Sequence, residues 1–99
     1  MKVNFLNEKC GVEFHRYSDN DRIAIQLLCE DGLPMATATV NMPDIHLESN
    51  QVCIKDYSEN TGILKALIDS GIVEETGEIV QSGFVQVPIC NVVCDMQMP

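Results

Sequence analysis

Ninety-nine residues with 45% hydrophobic and 21% charged side chains are enough for one globular domain, burying roughly two-thirds of the surface its unfolded chain exposes. The net charge of −9 argues against direct binding to DNA, RNA or an anionic membrane, since those partners need clustered lysine and arginine to displace counterions. The six basic residues are scattered, and after Lys65 five acids (Asp69, Glu74, Glu75, Glu78, Asp95) face no base at all.

A single domain over residues 1–99 is expected, with residues 95–99 fraying because they lack any apolar pattern. Asn4, Asn7 and Glu8 interrupt the start of the chain, so no export signal is expected. No stretch approaches the ~20 apolar residues that cross a bilayer. Five cysteines, an odd number without a Cys-x-x-Cys pair, read as reduced thiols in a cytoplasmic protein rather than a secreted disulfide framework.

Val3 and Phe5, then Val12 and Phe14, alternate with polar neighbours and predict two half-buried strands, with Lys9-Cys10-Gly11 as the turn. Ser18-Asp19-Asn20-Asp21 supplies the next turn through short polar side chains that bond their own backbone. A stronger strand follows, with Ile23, Ile25, Leu27 and Cys29 on one face. Asp31-Gly32 turns it into a return strand from Met35 to Met42, whose mid-strand alanines leave room for a helix. Gln51 to Lys55 forms a short strand after a polar connection.

The period then changes. Ser58 is the expected N-cap of a helix over about residues 58 to 70, with Glu59 near its positive end and Gly71 as its stop. Its stripe of Ile63, Leu64, Leu67 and Ile68 is expected to pack on Ile25, Leu27, Ala36 and Ala38. Thr76-Gly77 and Ser82-Gly83 are turns, and Phe84 to Val93 is a final strand apolar on both faces. Pro88 cannot donate to a central ladder, so that strand is expected to sit at an edge or to carry a bulge there, and the edge is taken as the expectation for Phe84 to Val93. The sum is an α+β domain: one antiparallel sheet of five or six strands with one main helix on one face.

Between residues 57 and 90, Tyr57-Ser58-Glu59-Asn60-Thr61-Gly62-Ile63-Leu64, Leu67, Gly71-Ile72-Val73, Thr76-Gly77, Gly83-Phe84-Val85 and Val87-Pro88 resemble small uncharacterised proteins of bacteria, their phages and conjugative elements. The resemblance covers about a third of the chain. It implies a bacterial or mobile-element origin, and it brings no activity and no functional residue with it.

Three sets of residues could carry chemistry. His15, His46 and the cysteines are potential metal ligands, but the closest pair, Cys90 and Cys94, would lie roughly 13 Å apart on a strand. A Cys–His nucleophile needs an electropositive setting, whereas Cys29 and Cys53 sit in apolar runs near acids. Glu30-Asp31 and Glu74-Glu75 border turns, where solvated carboxylates are usual, and no phosphate-binding glycine loop occurs. No catalytic residue, metal or cofactor is therefore expected. The leading expectation is a non-catalytic protein-interaction domain that binds a protein partner or itself. Its candidate surface is Glu74, Glu75 and Glu78 with Val85, Val87 and Ile89. Two alternatives stay open: an acidic inhibitor mimicking nucleic-acid phosphates, and a small enzyme without a recognisable motif.

Overall fold

The computed structural model describes residues 1 to 97. Four strands form an antiparallel sheet in chain order: β1 (Lys2–Phe5), β2 (Glu8–Arg16), β3 (Ile23–Leu28) and β4 (Pro34–Thr37). Three more, β5 (Gln51–Cys53), β6 (Val73–Ser82) and β7 (Val85–Val92), make a second antiparallel sheet ordered β5-β7-β6. A 3₁₀ turn at Ser58–Asn60 leads into the one α-helix among the described residues, α1 (Ile63–Asp69). The α+β class and the antiparallel pairing hold. The single sheet of five or six strands is corrected to seven strands in two sheets among the described residues.

The division into two sheets arises where the chain leaves β4. Ala38 donates its N–H to the Ile25 carbonyl at 2.8 Å, but its own carbonyl accepts the Lys55 N–H at 2.8 Å. Val40 then donates to Cys53 at 3.0 Å, and Thr39 bridges Ile54. The expected long strand from Met35 to Met42 therefore changes partner midway and stitches one sheet to the other. Thr39 at that crossing is only 3% exposed. Its hydroxyl oxygen accepts the Ile25 N–H at 3.2 Å and lies 2.9 Å from the Tyr17 hydroxyl, which pairs the buried amide and the half-buried phenol.

Two local expectations are also corrected. The β1–β2 turn is Leu6-Asn7, both with positive φ (53° and 61°), closed by the pair Phe5–Glu8. Lys9, Cys10 and Gly11 lie inside β2, with Cys10 buried opposite Val3. At the helix, Ser58 makes no capping bond and itself has φ 54°. Asp56 caps instead: one carboxylate oxygen accepts the N–H of Gly62 at 2.9 Å and of Leu64 at 3.2 Å. Gly62 takes φ 99° at the helix entrance. The helix stop is as expected. Gly71 (φ 75°) donates to Ile68 and Ile72 donates to Leu67, both at 3.0 Å, which together form a Schellman motif.

The main core gathers Val3, Phe5, Phe14, Ile25 and Leu27 from the first sheet with Ile63 and Leu67 from α1 and Val52, Cys90 and Val92 from the second. The helix has β1 and β6 as its principal neighbours. It shares the core with Ile25, Leu27 and Ala38 without lying along β3 and β4 as expected. A second, smaller cluster of Cys53, Val87 and Ile89 occupies the opposite face of the second sheet. Val40, Met42, Ile45 and Leu47 cover it. That cover is held by Arg22, whose guanidinium donates to the carbonyls of Met42 at 2.6 Å and Ile45 at 2.5 Å. At the carboxyl end, Met96 packs against the main core, and residues 98 and 99 of the expected frayed tail lie outside the described residues.

Candidate interaction surface on the second sheet

The expectation that the last strand lies at an edge is overturned, because β7 is the central strand of its sheet, between β5 and β6. Backbone direction explains why Pro88 is tolerated there. Its carbonyl accepts the Ile54 N–H at 3.0 Å, so the donor it lacks would also point toward the β5 side. The β5 ladder ends at Cys53, paired with Ile89, so the missing donor falls one position past that end. One ladder bond is lost and no more.

The second sheet has two edge strands: β5, whose Cys53 carbonyl accepts the Val40 N–H, and β6, which has β7 as its one neighbour. Between its pairs Glu75–Cys90 and Ile79–Pro88 the register shifts, and Thr76, Gly77 and Glu78 bulge out. The Thr76 hydroxyl holds the bulge by donating to the Ile89 carbonyl at 2.8 Å and accepting the Glu78 N–H at 3.1 Å. That bond also fixes direction. Ile89 faces β6, hence so do Val87 and Val85. Their partners Val80 and Ser82 turn inward, and the amides and carbonyls of Ile79 and Gln81 point away from the sheet.

Beyond the bulge the β6–β7 hairpin leaves the main core, and one of its faces (Val80, Val85 and Val87) stays on the second cluster. Gly83 (φ 59°) and Phe84 form its two-residue turn. Phe84 is 105% exposed and Ile79 is 58% exposed, while Val80 and Val85 are half-buried. Glu74, Glu75 and Glu78 are exposed along the same strand. The candidate surface is thus partly corrected. Val87 (0% exposed) and Ile89 (6%) belong to the second cluster and are not available to a partner. Sequence reasoning missed Ile79, Gln81 and Phe84. The signal was present in Ser82-Gly83: a glycine with positive φ at the first central position makes Phe84 a turn residue.

The other candidates remain dispersed. Among the described residues no group of three or more His, Cys, Asp or Glu side chains could hold a metal. His15 lies 2.8 Å from Glu13 and His46 lies 3.3 Å from Glu48, both exposed pairs. Burial pushes all five thiols up from their ordinary range, and Cys90, with Glu75 beside it, reaches about 12. This is the reverse of what activates a thiolate nucleophile. A hollow of about 400 Å³ opens beside Arg16 and Arg22, but it is also lined by Asp21 and Glu48, and Arg22 is engaged by the loop carbonyls. No helix among the described residues is long and apolar enough to cross a membrane. Comparison with family models, with curated proteins and with solved structures finds no match.

Proposed function

We propose that this chain is a non-catalytic protein-interaction domain that binds through the far end of its β6–β7 hairpin. One observation carries the reading: among the described residues Ile79 is the exposed large apolar side chain that lies within a strand, on an open edge, with the exposed Phe84 in the turn beside it. Met1, Leu6, Leu33 and Val93 are exposed outside the strands. An apolar edge is a hazard for a soluble protein unless something covers it. A cytoplasmic setting agrees with five free thiols, and the resemblance noted above favours a bacterial mobile element as the source.

The test is affinity capture from a bacterial lysate with the wild type and with the Phe84→Ser/Ile79→Ser double variant. A protein retained by the first and lost by the second supports the reading. Equal retention, or none by either, sinks it. The acidic-mimic alternative draws on the charge of −9 and the run Glu74, Glu75, Glu78. It predicts capture of nucleic-acid-handling proteins that DNA displaces and that the double variant retains in full.

A further inference from the structure

Resting on that reading, we infer that the partner is a basic, extended segment that adds to the outer edge of β6 as a fourth strand of the second sheet. Two features of the hairpin select an extended strand. The outward N–H and C=O groups belong to Ile79 and Gln81, two residues apart, which is the repeat another strand presents. A helix satisfies its backbone internally and has no groups to offer them. The bulge at Thr76–Glu78 ends the regular ladder, so the added strand spans Ile79 to Ser82.

Side chains and charge define the rest. Ile79 and Pro88 are cross-strand partners and so share one face, offering an apolar strip, exposed at Ile79 and half-buried at Pro88, to one side chain of the incoming strand. Phe84 at the tip offers a second. Glu75 and Glu78 flank this strip, and no lysine or arginine follows Lys65 in the chain. A second copy would bring another charge of −9 to the same edge. A segment alternating lysine or arginine with apolar residues meets both the strip and the acids.

The probes are two seven-residue peptides, one alternating lysine with valine and one alternating glutamate with valine. Backbone amide hydrogen exchange is followed on the full chain at low salt and at physiological salt. The lysine peptide should slow exchange at Ile79 and Gln81 at least tenfold and leave the already paired Val80 unchanged. The glutamate peptide should protect neither. Gln81→Pro removes an outward N–H that the fold does not use, and should weaken lysine-peptide binding tenfold or more. The Glu74→Gln/Glu75→Gln/Glu78→Gln variant keeps the edge and should weaken it three- to tenfold, mainly at low salt. Equal protection by both peptides overturns the charge assignment. Protection of Ile79 and Gln81 by the protein alone, rising with its concentration, makes a second copy the occupant and overturns the basic partner. If neither peptide protects the edge while the Phe84→Ser/Ile79→Ser variant still loses a captured protein, the strand pairing fails and the interaction reading stands.

Discussion

The first sheet and the β6–β7 hairpin use apolar residues in opposite ways. Along β1, β2 and β3, nearly every large apolar side chain sits at an alternate position and reaches the main core: Val3, Phe5, Phe14, Ile23, Ile25 and Leu27. Burial accounts for that pattern completely. The root of the hairpin behaves likewise, with Cys90 and Val92 in one cluster and Val87 and Ile89 in the other. Past the bulge burial accounts for one face, with Val80, Val85 and Val87 on the second cluster, while Ile79 and Phe84 contact water and belong to neither cluster. Leu6 and Leu33 are as exposed as Ile79 but lie in connections between strands, not within one. Apolarity that folding does not use is the better guide to a binding surface than the acidic charge that first draws the eye.

The sharpest way to break this comparison is to put a charge at the root. Val87→Lys places an ammonium in a fully buried position and should abolish folding, seen as loss of the cooperative urea transition. A folded Val87→Lys protein would mean that the second cluster is not a core. Leu67→Ala, in the main core, should cost about 2–5 kcal/mol in the same measurement. Thr39→Val leaves the Ile25 N–H and the Tyr17 hydroxyl without their partner and should cost about 1–3 kcal/mol, whereas Thr39→Ser should recover most of it.

Alkaline pH probes the root through Cys90. Below pH 9 the thiol keeps its proton in both folded and unfolded chains, and its contribution is present in full. From pH 9 to about 12 the unfolded chain releases the proton while the folded chain retains it, so stability falls as pH rises. The limiting slope from this one thiol is about 1.4 kcal/mol per pH unit. Cys90→Ala should flatten the loss of urea stability across that window, and an unchanged slope would deny the thiol its buried setting. The smallest effect belongs to the tip: Phe84→Ser should change stability by less than about 0.5 kcal/mol. A cost above 1 kcal/mol would show Phe84 to be structural and would remove the contrast between root and tip.

Much of the first sheet was legible because alternation reports which face a residue lies on. Ile23, Ile25 and Leu27, the Asp31-Gly32 turn and the Gly71 stop all appear where the sequence puts them. Alternation says nothing about which strand is the partner. From Met35 to Met42 it runs on without a break while the partner changes at Ala38, so the second sheet was invisible. The Leu6-Asn7 turn lacks the glycine that usually marks positive φ, and Asp56 caps from six residues before Gly62, outside the usual window. Pro88 misled for a different reason: a missing donor matters only where a ladder continues, and here β5 has just ended. At the candidate surface, Glu74, Glu75 and Glu78 could be read from charge alone. Phe84 could not, because its hydrophobicity resembles that of the strand it precedes.

The partner change at Thr39 also sets a timetable for synthesis. As the chain leaves the ribosome, β1 to β4 follow one another as neighbours and can pair as each emerges. For β5 there is no such companion, because its mate β7 arrives only after the helix and the whole of β6. Until then the stretch from Thr39 to Cys53 hangs from a finished sheet with its own edge open. A nascent chain paused in that interval exposes Val52 and Ile54, both buried once β7 closes the second sheet. Ribosome-bound chains cut short before Val85 should therefore be digested by protease beyond Thr37 while the first three hairpins survive.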